Sequence, residues 1–203
     1  MSRPAIVVFD LGKVLVDFDF SIAARQIAIH SRKSPDEVQA LIERSRFIVD
    51  YESGRLTRKE FYECVQEATG FAGSLVEFGA LFADIFTAMP EMIELHAGLR
   101  RRGTPTWIFS NTNDLAIEHI RRNFPFFANF DGYIYSYEVG VMKPQDGIYE
   151  ALEKRTGRRG GEILYLDDRP ENAAAGTARG WRAILHETPE RSRAAVEKSI
   201  GSI

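Results

Sequence analysis

The sequence predicts an α/β fold: a parallel sheet flanked by helices, with a block of helices inserted after the first strand. Three observations carry that prediction. Short continuous apolar runs recur along the chain and end in polar residues, as in Ile6-Val7-Val8-Phe9-Asp10 and Ile163-Leu164-Tyr165-Leu166-Asp167. Runs of this length read as strands buried on both faces. From Pro90 onward they alternate with helix-length segments, the pattern of parallel strands joined by right-handed crossovers. Between residues 20 and 88 the strand pattern disappears and helix-start signals take over. The expected division is an α/β core made of residues 1–16 and 89–203, with a helical module at 17–88.

Each element has its own local reason. The first strand, at residues 6–9, runs straight into Asp10, Leu11 and Gly12. In the helical module, Ser34-Pro35-Asp36-Glu37 supplies a capping serine, a proline at the first helical position and a glutamate three residues after the cap. Thr57-Arg58-Lys59-Glu60 repeats that logic, and Gly70 ends its helix. Residues 51–55 between them read as a turn, and the last of four expected helices covers about 74–87. A helix at 91–102 ends at Gly103, so Arg100, Arg101 and Arg102 place positive charge at a helix C-terminus. Residues 106–110 form the second strand and are followed by a helix to about Asn123. The third strand is at 133–136, a loop at 141–144 and a helix at 146–156. Residues 162–168 are the fourth strand; Pro170 opens a helix that Gly180 closes, and 181–185 form the fifth strand.

At 203 residues the chain can bury one substantial core and a small second module. With 44% hydrophobic residues, 27% charged residues and a net charge of -3, it lacks the concentrated positive face of a nucleic-acid binder. Cys64, the single cysteine, excludes an intrachain disulfide and a multi-cysteine metal site, and is expected to act as a small buried hydrophobe. No apolar run reaches membrane-spanning length, and the N-terminus leads directly into a strand. A cytoplasmic monomer or homodimer with no nucleic-acid or membrane partner is expected.

The chemistry-bearing residues stand at strand ends. Asp10, Ser110, the loop carrying Lys143, and the pair Asp167/Asp168 all emerge along one edge of a parallel sheet, where open α/β sheets place ligands. Carboxylates from two strands suit a hard divalent cation, and Mg²⁺ usually takes one or two of them together with water and substrate phosphate. A hydroxyl and a lysine add a donor and a positive charge, as phosphoryl transfer requires. The same residues also suit a buried Lys–Asp pair that merely holds loops together. Spacing alone leaves both readings open.

The order Phe9-Asp10-Leu11-Gly12-Lys13-Val14-Leu15, then Phe109-Ser110-Asn111-Thr112, then Lys143-Pro144, then Leu166-Asp167-Asp168-Arg169-Pro170-Glu171-Asn172 resembles the haloacid dehalogenase superfamily. Four short motifs in order span nearly the whole chain. The resemblance is closest to bacterial sugar-phosphate phosphatases whose first motif is of the Asp-Leu-Gly-Asn-Val type. It implies a Rossmann-like core with an inserted helical cap, and a Mg²⁺-dependent phosphatase acting on a small phosphorylated metabolite such as glucose 1-phosphate. By that resemblance Asp10 is the nucleophile that forms an aspartyl-phosphate. Ser110 and Asn111 would bind the phosphoryl group, and Lys143 would offset its charge. Asp10, the Gly12 carbonyl and Asp168 would hold Mg²⁺, with Asp167 and Asn172 supporting them. The cap would close over the substrate and exclude water.

Two positions depart from the pattern. Most phosphatases of the superfamily carry a second aspartate two residues after the nucleophile, as general acid and base; here that residue is Gly12. A working phosphatase that uses substrates with good leaving groups, such as anomeric phosphates, is one reading. A 2-haloacid dehalogenase is another, although those enzymes usually show serine or asparagine where Asp167-Asp168 stand. A weakly active relative that binds a ligand or partner is the third. Lys13, where glycine or asparagine is usual, either adds charge beside the phosphate or points to solvent, with solvent favoured. Asp17 or Asp19 could supply a proton from the loop into the cap.

The remaining polar and aromatic residues carry less. His30, His96, His119 and His186 show no paired metal-ligand spacing and read as structural or surface residues. Phe124, Phe126, Phe127, Phe130 and Tyr133 read as core packing. Phe47, Tyr51 and Glu52 flank a helix–helix turn and could face a substrate, a choice the sequence leaves open.

Overall fold

The computed structural model describes residues 3–201. Side chains alternate across β1 (Ile6–Phe9), and that alternation builds the two faces of the sheet. Val7 and Phe9 enter one cluster with Met92, Leu95 and Leu99, whereas Ile6 and Val8 enter another with Ile148, Tyr149 and Leu152. All four β1 residues are buried. Burying each apolar side chain of this size contributes about 1.5–3 kcal/mol. That makes β1 the central strand, and the continuous apolar run is the trace of its double burial.

Two short strands, β2 (Val16–Phe18) and β3 (Phe86–Ala88), pair antiparallel through Val16–Ala88, Asp17–Thr87 and Phe18–Phe86. The other strands are β4 (Thr106–Ser110), β5 (Gly132–Tyr135), β6 (Ile163–Asp167) and β7 (Arg182–Leu185). The main sheet has the order β5-β4-β1-β6-β7, and every neighbouring pair is parallel. The order reverses direction on either side of β1, so β1, β4 and β6 deliver their C-terminal ends to one crevice.

Five helices lie between β2 and β3: α1 (Phe20–Ile29), α2 (Pro35–Arg44), α3 (Arg46–Glu52), α4 (Arg58–Thr69) and α5 (Leu75–Ala83). The expected capping boxes form at Ser34/Glu37 and Thr57/Glu60, and a third forms at Ser74/Glu77. Gly70 ends α4 in the left-handed conformation, at φ 69°. Their apolar faces share a separate cluster built on Tyr51, Phe61, Phe71, Phe78 and Phe82. The main sheet is flanked by α6 (Pro90–Arg101), α7 (Asp114–Asn123), the single turn α8 (Ser136–Val139), α9 (Asp146–Thr156), α10 (Pro170–Ala178) and α11 (Pro189–Ile200).

The α/β class and the order of its elements agree with expectation, and a few local readings are corrected. Residues 46–52 form α3 rather than entering a turn at 51; Ser45 caps it by accepting a hydrogen bond from the Phe47 N–H at 3.3 Å. The helix expected over 74–87 stops at Ala83, because residues 86–88 must extend to pair with β2. Three-residue strands are too short to show a period, so the ribbon left no signal. α11 is an addition to the expected elements, capped by Thr188 and opened by Pro189. Cys64 is half-buried rather than buried. The phenylalanine-rich stretch does pack in the core, with Phe127 and Phe130 buried. Among the described residues, no helix is long and apolar enough to cross a membrane.

Candidate active site

Sheet hydrogen bonding carries on past the end of β1. The Asp10 N–H donates to the Leu166 carbonyl at 2.8 Å, which fixes Asp10 against the end of β6. Its carboxylate accepts from the Leu11 N–H at 2.7 Å and lies 3.0 Å from Lys143 Nζ. Lys143 is itself buried and donates to the Phe109 carbonyl at 2.8 Å and to Asp167 Oδ2 at 2.6 Å. Asn111 clamps the lysine's backbone: its Oδ1 accepts from the Lys143 N–H at 2.8 Å, and its Nδ2 donates to the Lys143 carbonyl at 3.0 Å. With both ends of the amide engaged, the Asn111 side chain ties the 141–144 loop to the end of β4.

The two neighbouring carboxylates have different surroundings. Asp167 is completely buried and accepts four donors: Lys143, the Tyr165 hydroxyl, the Arg169 N–H at 2.9 Å and Asn172 Nδ2 at 3.0 Å. Burial alone would raise its pKa, but the Lys143 ammonium and these donors hold it below the usual carboxylate range. Asp168 is half-buried, and burial together with the Asp167 charge pushes it up. Asp10 is pushed up to about 8 by burial, against the pull of Lys143 and with the added repulsion of Asp167 and Asp168. Oxygen atoms of these three residues all lie within 4.8 Å of one another. Three crowded carboxylates face one ammonium, and the excess negative charge, together with hard oxygen donors, fits a divalent cation such as Mg²⁺.

A cavity of about 320 Å³ opens above this cluster. Asp10, Ser110, Lys143 and Asp168 line it from the strand ends, while Phe18, Phe20, Ile42, Ile48, Phe82 and Phe86 line it from the helical segment and its ribbon. Gly12 is also in the wall, and a Cβ there would meet the Phe18 ring at 2.9 Å. A side chain at position 12 therefore requires Phe18 to move. Lys13 holds φ at 58°, a conformation that favours glycine or asparagine. Its ammonium bonds to Asp17 and to the Phe18 carbonyl, at 3.0 Å for the latter, and its side chain is 44% exposed, so it borders the cavity while facing solvent.

Thus Asp10, Gly12, Ser110, Asn111, Lys143, Asp168 and Asn172 all line the cavity, and Asp167 lies beneath it. Asp17 and Asp19 do not line it; the first pairs with Lys13 and the second caps α1. None of the four histidines lines it either. Of the three undecided residues in the helical segment, Tyr51 is buried and stacks on Phe61 at 4.5 Å, Phe47 packs against the helical cluster, and Glu52 lines the cavity. Tyr165 and Arg169 escaped sequence reasoning. Tyr165 had a signal, since it sits two residues before Asp167 and shares its face of β6.

Comparisons with known proteins bear on the fold and the family. A D-ribitol-5-phosphate phosphatase from Bacteroides thetaiotaomicron is 23% identical over 188 residues, covering 89% of this chain and 91% of the relative. A haloacid dehalogenase family enzyme from the same organism, crystallised with magnesium and inorganic phosphate, superposes with a TM-score of 0.79. It is 22% identical, with 90% of this chain and 93% of that one covered. A haloacid dehalogenase-like hydrolase from Porphyromonas gingivalis has a TM-score of 0.80 at 21% identity, covering 95% and 98% of the two chains. These structures share the fold, and the haloacid dehalogenase-like hydrolase family matches residues 4–180. This chain therefore belongs to the haloacid dehalogenase-like hydrolases.

Proposed function

We propose that this protein is a Mg²⁺-dependent phosphatase that hydrolyses a small sugar or polyol phosphate through an aspartyl-phosphate on Asp10. One observation carries the reading: Asp10 and Asp168 keep acceptor capacity toward the cavity while Asp167 is saturated by four donors. A merely structural ion pair would need only the Lys143–Asp167 contact.

In this reading the Asp10 carboxylate attacks phosphorus, and the bond to the leaving oxygen breaks in line with it. Lys143, fixed by Phe109, Asp167 and Asn111, offsets the charge on the nucleophile and on the transferred group. Ser110 donates to a phosphoryl oxygen, and Asn111 serves the site by positioning Lys143. Asp10, the Gly12 carbonyl and Asp168 would hold Mg²⁺, which supplies charge neutralisation at the phosphoryl oxygens when bound. Asp167 orients Lys143, and Asn172 orients Asp167. Residues 17–88 act as a cap that shields the site from water and whose aromatic wall limits substrate size.

The carboxylate cluster disfavours the 2-haloacid dehalogenase reading, which has no use for a cation site. The test is phosphate release from α-glucose 1-phosphate and D-ribitol 5-phosphate, with Mg²⁺ or EDTA, for wild type and Asp10→Asn. Turnover that needs both Mg²⁺ and Asp10 is the expected result. Halide release from a 2-haloacid without metal, or ligand retention without turnover, would overturn it.

A further inference from the structure

Breaking an alkyl phosphate ester leaves an alkoxide, a poor leaving group unless a proton reaches it as the bond breaks; a positioned acid contributes about 10²–10⁴-fold. In-line displacement puts the leaving oxygen on the side of phosphorus away from Asp10. The cavity wall contributed by residues 17–88, across from the strand ends, is placed to supply that donor. That wall carries two titratable side chains, Glu43 and Glu52; the rest of it is aromatic or aliphatic. Glu43 is exposed and accepts from Gln39 at 2.8 Å. Among the described residues, the Glu52 carboxyl takes part in no hydrogen bond or ion pair.

Glu52 is held in place by its neighbours. It is the last residue of α3, and its carbonyl accepts from the Ser136 hydroxyl, which in turn accepts from the Thr112 N–H at 2.9 Å, two residues past Ser110. Before it, the Tyr51 hydroxyl donates to Asp114 of α7. After it, Gly54 packs so closely on α8 that a Cβ would lie 2.4 Å from the Tyr137 carbonyl. Three ties thus set this end of α3 against the strand ends.

We propose that Glu52 is the general acid of the reaction, giving its proton to the leaving oxygen. As Asp10 Oδ bonds to phosphorus, the P–O bond to the alcohol breaks, its electron pair stays on oxygen, and the Glu52 proton completes the hydroxyl. The resulting carboxylate then accepts a proton from the water that attacks phosphorus and releases Asp10. Burial pushes its pKa up to about 7 against the pull of Arg169, so a substantial share of the group carries a proton near neutrality. Lys13, Glu43, Lys143, Asp10 and Asp168 line the same cavity, and Glu138 is on the facing turn α8. The inference rests on the phosphatase reading.

The test uses Glu52→Gln on two esters, D-ribitol 5-phosphate and p-nitrophenyl phosphate, whose aryl oxide leaves without a proton. The expected result is a fall in kcat/KM of about 10²-fold or more on the alkyl ester and less than about 5-fold on the aryl ester. The alkaline limb of the wild-type pH profile on the alkyl ester should also disappear. An equal fall on both esters, or no fall on the alkyl ester, would overturn the role of Glu52 while leaving Asp10-dependent hydrolysis in place. Wild type inactive on both esters would instead remove the phosphatase reading and this inference with it.

Discussion

The two walls of the cavity are built on opposite plans. At the strand ends, polar atoms are anchored by hydrogen bonds: Asp167 has four donors, and Lys143 is fixed through its ammonium and both sides of its backbone. On the helical side the wall is mostly rings and aliphatic chains, with one carboxyl, Glu52, that takes part in no hydrogen bond or ion pair among the described residues. The first plan suits chemistry, because preorganised charge needs no rearrangement when the reaction begins. Apart from Glu52, the second suits selection and exclusion of water, because apolar side chains can be exchanged at low electrostatic cost.

Breaking the charged side should therefore cost most. Asp10→Asn is expected to lower kcat by about 10⁴-fold or more with melting behaviour near wild type, since the Asp10 N–H to Leu166 bond survives. Lys143→Met removes the partner of the buried Asp167 and should cost about 3–5 kcal/mol of stability, read from a denaturant midpoint, as well as activity. Activity lost without destabilisation would show that Asp167 finds compensation elsewhere.

The core side also makes stability depend on pH through His96. It is buried, stacks on Phe130 at 3.8 Å, and is pushed down to about 4 from 6.5 by burial. Between those values the unfolded chain binds a proton that the folded chain does not, so stability should fall as pH drops from 6.5 towards 4. The size is about 2–3 kcal/mol. His96→Phe, which keeps the stacking, should flatten unfolding curves in that window.

The helical side should respond more weakly. Tyr51→Phe removes the hydroxyl that bonds to Asp114 and is expected to cost about 1.5–3 kcal/mol. Arg58→Ala removes half-exposed pairs to Asp114 and Glu118, both at 2.8 Å, and should cost at most about 1 kcal/mol. Arg58→Ala should raise KM more than it lowers kcat, because it loosens the wall that encloses the substrate, whereas Tyr51→Phe also loosens a tie on Glu52 and should lower kcat on an alkyl ester, by less than Glu52→Gln does. A kcat loss comparable to that of Lys143→Met would erase the distinction between the walls.

The same contrast decided what could be read from the sequence. Doubly buried strands leave continuous apolar runs, and charged residues at their ends stand out, so Asp10, Ser110, Lys143 and Asp168 were legible. Glu52 was ambiguous because its hydrogen-bond partner Ser136 lies more than eighty residues away in the chain. The β2–β3 ribbon and α3 were missed because three to seven residues are too few to establish a period. The steric reason for Gly12, the Phe18 ring above it, appears only once the chain has turned back on itself.

The most direct test is to quench the enzyme in acid during turnover and map the phosphoryl group by peptide mass. A single phosphorylated peptide carrying Asp10, absent in Asp10→Asn and in EDTA, is the predicted result. Undiminished turnover in Asp10→Asn, or a phosphoryl group on another residue, would contradict the account.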